Sequence, residues 1–235
     1  MLDTLFPIKC LGCGQENVWL CPKCLSAIEI NSYQLCPVCE KMITVSGNLC
    51  AHCKENKESW LDGLLVASSY NNSLLKNILH SFKYRFISSL SEPLSKIMLS
   101  SLVGSDFTIP HFIIPVPLHK KKLRYRGFNQ SLLLANAISD NLTPPIKIAV
   151  ADILERKKHT RAQMEIKNYQ QRIQNVKNIF ELKPGFDKLL IKNKIVLLVD
   201  DIATTGATLQ ECARILKENE VKKVFAVVVA RQAVK

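Results

Sequence analysis

Residues 196–208 read VLLVDDIATTGAT. An apolar run ends in two adjacent carboxylates, Asp200 and Asp201, and the chain then turns through Ala203, Thr204, Thr205, Gly206, Ala207 and Thr208. Unpaired backbone N–H groups at a helix start, with the positive end of the helix dipole, suit a phosphate. Gly206 lets the backbone approach closely, and three threonines add hydroxyl donors. Two carboxylates just upstream can accept hydrogen bonds from a vicinal diol, which the 2 and 3 hydroxyls of a ribose 5-phosphate present. Asp200 and Asp201 are therefore the candidate catalytic residues. With Val199 and Ala203 to Thr208 they make the candidate sugar-phosphate site. A helix-capping aspartate explains one of these residues cheaply, but not the whole string.

A second chemistry lies at the other end. Eight of the nine cysteines form four CxxC pairs: Cys10 with Cys13, Cys21 with Cys24, Cys36 with Cys39, and Cys50 with Cys53. Two such knuckles complete a tetrahedral four-thiolate zinc site, so two structural zinc ions are expected. Sequential pairing of the knuckles closes shorter loops than interleaving them and loses less entropy, although both orders satisfy the ligand count. His52, inside the last knuckle, is an alternative ligand that reads more simply as a solvated turn residue. Cys212 shares a helical face with Leu209, Ala213 and Leu216 and reads as a core residue.

The third feature is cationic. Five Lys against six Asp or Glu give residues 1–60 a net −1, which leaves +13 of the total +12 for residues 61–235. Residues 117–172 hold twelve Lys or Arg against four Asp or Glu. Lys120, Lys121, Lys122, Arg124 and Arg126 lie in one basic loop with Tyr125 and Phe128 among them. Cations that meet phosphates beside rings that stack on bases suit single-stranded nucleic acid, and the same cations attract pyrophosphate. His119 is a candidate proton donor that reads more simply as an ordinary loop histidine.

These groups need a frame. Apolar runs or amphipathic periods predict strands at 64–70, 111–117, 148–155, 179–182, 194–201 and 224–231. They predict helices at 73–86, 90–102, 129–140, 165–177 and 207–219. Alternation of the two implies an α/β fold, a mostly parallel sheet with helices on both faces. The division expected is a zinc-ribbon module over 1–60 and an α/β domain over 61–235. The longest uncharged apolar run, Val224 to Ala230, is far short of a membrane span. The opening MLDTLFPIKC lacks the basic start of a secretory signal, and a cytoplasmic location is expected, which disfavours disulfides for the cysteines.

VLLVDDIATTGAT resembles the phosphoribosyl pyrophosphate (PRPP) motif of type I phosphoribosyltransferases. That resemblance implies their fold, ribose contacts from Asp200 and Asp201, a 5-phosphate held by Ala203 through Thr208, and magnesium bound with PRPP. IIPVPLHKKKLRYRGFNQS, LERKKHTRAQ and NYQQRIQNVKNIFEL, behind the cysteine knuckles, look like the ComF family of competence proteins. In that family Pro115, Val116, Pro117, Leu118 and His119 take the place of the pyrophosphate loop, and Arg126 to Gln130 follow as a signature. Arg156, Thr160, Gln163, Arg172, Asn175 and Phe180 match further family positions, while Lys120 to Lys122 depart from a mixture of arginine and proline.

The family implies handling of single-stranded DNA during natural transformation, with a helicase-like partner; type I enzymes further imply a homodimer. Two other functions fit the pocket: a metabolic transferase moving ribose 5-phosphate to a base or amine, and a ligand-sensing regulator. No segment that would read an acceptor base is recognisable.

Overall fold

The structure, a computed structural model, describes residues 7–57, 59–157 and 176–232. The cysteine-rich segment is poor in large apolar residues and folds as short elements around its knuckles. These are α1 (Pro22–Ser26), a hairpin of β1 (Gln34–Leu35) and β2 (Ile43–Thr44), and α2 (Ala51–Glu55). Cys21 and Cys50 are the N-caps of the two helices, so each helix starts at a thiolate turn.

A larger α/β unit follows. Its elements are β3 (Gly63–Ser69), α3 (Ser73–Tyr84), α4 (Ser91–Val103), β4 (Phe112–Pro115), α5 (Lys120–Arg126) and α6 (Gln130–Asn141). Then come β5 (Ala149–Val150), β6 (Leu154–Arg156), β7 (Phe180–Leu182), β8 (Ile195–Ala203), α7 (Ala207–Glu218) and β9 (Lys223–Arg231). Five strands form one parallel sheet in the order β3-β9-β8-β4-β5. The runs without alternation take its centre: Val196, Leu197, Leu198 and Val199 are wholly buried, as are Val227, Val228 and Val229. Strands covered on both faces require such runs. On one face Leu197 and Val199 pack with Leu75, Ile78, Leu79, Leu94, Met98 and Leu134 from α3, α4 and α6. On the other, Val196 and Leu198 pack with Leu209, Cys212, Ala213 and Leu216 of α7 and with Leu154 and Phe180 of the β6–β7 ribbon.

The cysteine-rich segment is built into this unit. Cys10, Leu20, Cys21 and Ile28 belong to the same core as α3 and α4. Residues 29–34 cover the outer edge of β3, an edge that would otherwise offer unpaired backbone groups to other chains. Gln34 accepts from Val66 N at 2.8 Å and donates to Val66 O at 3.1 Å, while Asn31 N donates to Ala67 O at 2.9 Å. Gly47 permits a close approach nearby: at φ +68°, a Cβ there would meet Leu64 O at 2.0 Å.

Two expectations are corrected. The single strand over 148–155 is two strands in different sheets, because Ile153 N turns back to Ala151 O (3.0 Å) and redirects the chain from β4 towards β7. The basic loop is a helix, α5, with His119 as its N-cap and Gly127 in the left-handed region (φ 82°) ending it. Leucine, lysine and arginine between those stops are good helix formers. The helix expected over 165–177 lies outside the described residues except for its last two, which begin a turn.

Candidate functional site

Open parallel sheets place ligands beyond the carboxyl ends of their strands, and β4 ends here beside Val199 of β8. Between them is a cleft of about 150 Å³ lined by Lys83, Tyr84, Val116, Pro117, Leu118, Lys122, Arg126, Asn129, Gln130, Ser131, Arg156, Asp200, Asp201, Ile202, Thr204 and Thr208. Neighbouring residues of a strand point to opposite faces. Asp200 and Asp201 nevertheless both line the cleft.

Their holders differ. Asp200 Oδ1 accepts from Ser131 Oγ of α6 and from Asp201 N, each at 2.9 Å. Asp201 is 5% exposed, its Oδ1 accepts from Ile202 N at 2.8 Å, and its Oδ2 lies 3.0 Å from Lys83 Nζ of α3. Burial and, secondarily, the charge of Asp201 push the Asp200 carboxyl up to about 7. Burial pushes Arg126 and Arg156 down from the ordinary guanidinium value, opposed at Arg126 by Asp201, Tyr84 and Asp200 and at Arg156 by Cys212 and Asp200. Arg156 also lies over the Phe180 ring, 5.4 Å from its centroid.

The turn after Asp201 takes the form its sequence requires. Gly206 (φ 75°) is the N-cap of α7 and supplies no side-chain cap, so the helix start is not closed by its own residue. Thr205 Oγ1 accepts from Ala207 N at 3.2 Å, and Thr204 and Thr205 are buried. On the facing wall, Val116 N continues the ladder to Val199 O (3.0 Å), and Asn129 Nδ2 holds Val116 O at 3.1 Å, which fixes the loop Val116–His119. His119 Nδ1 accepts from Lys121 N at 3.1 Å and caps α5, the part of an ordinary loop histidine.

Helical spacing splits the five cations. Lys122 and Arg126, four residues apart on α5, line the cleft, whereas Lys120, Lys121 and Arg124 are exposed outside it. Tyr125 is 77% exposed and meets Phe86 edge-on at 5.4 Å, while half-buried Phe128 packs on Phe82 at 5.6 Å. Thr160, Gln163, Arg172 and Asn175 lie outside the described residues. Lys83, Tyr84 and Ser131 were not anticipated. The only signal for Lys83 was a cation between two aromatics, FKY, at the end of an apolar helical face.

The cysteines gather sequentially, Cys10, Cys13, Cys21 and Cys24 in one cluster and Cys36, Cys39, Cys50 and Cys53 in the other, with the four sulfurs of each within 4.8 Å of one another. Cys13 and Cys21 sulfurs are 3.7 Å apart and those of Cys39 and Cys50 3.9 Å. Tetrahedral zinc with sulfur at about 2.3 Å sets neighbouring sulfurs about 3.8 Å apart, so both sets fit zinc. His52 is outside the second cluster and faces Asn56. Cys212 is buried in the core.

Residues 129–235 match the family model of the phosphoribosyl transferase domain. With the parallel sheet and its flanking helices, that defines the class: a type I phosphoribosyltransferase-like fold behind two four-cysteine clusters. The chain is 28% identical to Competence protein F of Haemophilus influenzae over 94% of its own length and 96% of that protein's. It is also 28% identical to DNA utilization protein YhgH of Escherichia coli strain K12, over 85% of each chain. Competence protein ComFC of Bacillus subtilis matches at 28% over 85% of this chain and 78% of that one. The resemblance to the ComF family is borne out over most of the chain.

Proposed function

We propose that the cleft binds PRPP with magnesium, and that the chain acts as a ComF-type competence protein that handles single-stranded DNA during uptake. The observation that carries the PRPP reading is the meeting of two adjacent carboxylates, an open helix start and four cations (Lys83, Lys122, Arg126 and Arg156) in one cleft. In this reading Asp200 and Asp201 accept hydrogen bonds from the ribose hydroxyls. Backbone N–H groups after Gly206 and the hydroxyls of Thr204, Thr205 and Thr208 receive the 5-phosphate. Val116 to His119, Lys122, Arg126 and Arg156 receive the diphosphate.

Magnesium is a hard cation that prefers oxygen, and oxygen donors are what the carboxylate pair and a diphosphate offer it. When bound, it neutralises charge on the leaving diphosphate. The names of the relatives favour DNA handling over a metabolic transferase. The same reading places the chain in the cytoplasm with a helicase-like partner, and gives the two clusters a structural part. Homodimerisation is the assembly it anticipates. Among the described residues no helix is long and apolar enough to cross a membrane.

Calorimetric titration of zinc-replete protein with PRPP tests the pocket. Binding is expected with magnesium and at least tenfold weaker without it; folded protein that binds in neither condition overturns the reading.

The exposed cations test the DNA surface separately. Lys120→Ala, Lys121→Ala and Arg124→Ala together should flatten the dependence of log K on log salt for single-stranded DNA by about 2, at roughly 0.7 per lost phosphate contact. PRPP affinity should stay unchanged, since these side chains lie outside the cleft. An unaltered slope would put the DNA surface elsewhere.

A further inference from the structure

Among the described residues, Lys83 and Asp201 form the most buried ion pair, with side chains 16% and 7% exposed. Burying two charges costs several kcal/mol of desolvation, which their attraction often fails to recover, so such a pair is poor evidence of a stabilising role. A site role accounts for it better. Lys83 comes from the last turn of α3, whose sequence neighbours are both anchored. Phe82 is wholly buried against Phe128, and the Tyr84 ring lies 5.8 Å from the Arg126 guanidinium. The ammonium is therefore delivered to the cleft from a fixed backbone.

Asp201 is fixed in turn. Oδ1 is taken by Ile202 N, and Oδ2, apart from the nearby ammonium, has no aligned hydrogen bond among the described residues. That oxygen is itself buried with the ammonium as its neighbour, and Asp200 beside it is held independently by Ser131.

We propose that Lys83 is a positioning residue of the sugar-phosphate site, whose ammonium holds the buried Oδ2 and so fixes the Asp201 carboxylate at the cleft wall where a sugar hydroxyl binds. The assignment rests on the reading of the cleft as a ribose phosphate site. A merely structural lysine, favourable at a helix carboxyl end, would affect stability and every ligand alike. The positioning role affects only the hydroxyl contribution.

The test compares ribose 5-phosphate, 2-deoxyribose 5-phosphate and inorganic phosphate by calorimetry. Wild-type protein should prefer the ribose compound by about tenfold, the range of a hydrogen bond to a charged acceptor. Lys83→Met should reduce that preference to within about twofold, a ratio from which any common loss of attraction for phosphate cancels, and Lys83→Arg should restore most of it. Because Lys83→Met strands a buried carboxylate, the pair Asp201→Asn and Asp201→Asn with Lys83→Met keeps the test open if the single variant fails to fold. Adding Lys83→Met should then cost no further sugar discrimination. A retained preference in Lys83→Met, an equal loss for all three ligands, or a further loss on the Asp201→Asn background overturns the assignment. If wild-type protein itself does not distinguish the two sugars, the diol reading of Asp200 and Asp201 fails first, and the role of Lys83 with it.

Discussion

Removing zinc with a chelator under reducing conditions should unfold far more than the cysteine-rich segment. Two equivalents of zinc per chain are expected to leave, and the thermal midpoint of the whole chain should fall by at least about 20 °C. The size follows from roughly 10 kcal/mol for a structural zinc site and a shift of about 2–4 °C per kcal/mol for a domain of this length. The reach of the effect follows from packing. Cys10, Leu20, Cys21 and Ile28 share a core with Leu75, Ile78 and Leu79 of α3, and residues 29–34 hold the outer edge of β3. Losing the first cluster exposes that core and uncovers the edge together. The cysteines of the second cluster belong to neither core, and their segment meets only the edges of the sheet, through Asn48 with Gly63, Leu49 N with Asp62 O, and Arg231 with Pro37 O and Glu40. Cys10→Ser with Cys21→Ser should therefore abolish the cooperative transition, while Cys36→Ser with Cys39→Ser should lower its midpoint and keep it cooperative. Thermal scans beside metal analysis decide the matter. An unchanged midpoint after complete loss of zinc would mean that the clusters are not structural.

Much of this was legible in the sequence, for physical reasons that also mark where legibility ended. Short uninterrupted runs such as IVLLV and VFAVVV fit central strands buried on both faces, and the CxxC spacing limits thiolates to a few partners, so the sheet and the clusters followed from local pattern. The carboxylate pair was legible because Asp200, Asp201 and Gly206 sit within seven consecutive residues. Lys83 was not, because its meaning depends on an aspartate 118 positions later (201 − 83), and no periodicity carries that distance. The strand at 148–155 was misjudged because its apolar content is the same on both sides of a turn made by backbone hydrogen bonding at Ala151 and Ile153. The basic stretch reads as a loop by its charge, whereas its stops, a histidine cap and Gly127, delimit a helix. Sequence order therefore grouped five cations that helical geometry divides between cleft and surface.

The carboxylates give the other large effect, and their two substitutions should part in stability while agreeing in function. Asp200→Asn with Asp201→Asn should weaken magnesium-dependent PRPP binding at least a hundredfold, since each removes a charged acceptor from a sugar hydroxyl and such bonds contribute about 1.5–3 kcal/mol. Stability separates them. The Asp200 carboxyl ionises at about 7 in the folded protein against 3.8 ordinarily, so the folded state holds the proton more tightly across that window. Stability then falls as pH rises from about 4 to 7 and levels off above. An amide at position 200 has no charge to bury, so Asp200→Asn should be at least as stable as wild-type protein at pH 8, with an advantage that grows between about pH 4 and 7 and then levels off. Asp201→Asn should go the other way. It leaves the Lys83 ammonium at 16% exposure without its counter-ion, and breaking a buried pair from one side costs about 3 kcal/mol. Thermal midpoints across pH for the single variants, set beside PRPP titrations of each, separate binding from folding. A variant that binds weakly while melting at or above the wild-type midpoint, as expected for Asp200→Asn, has lost a ligand contact and nothing else. Undiminished affinity in the double variant would remove the carboxylates from the site altogether.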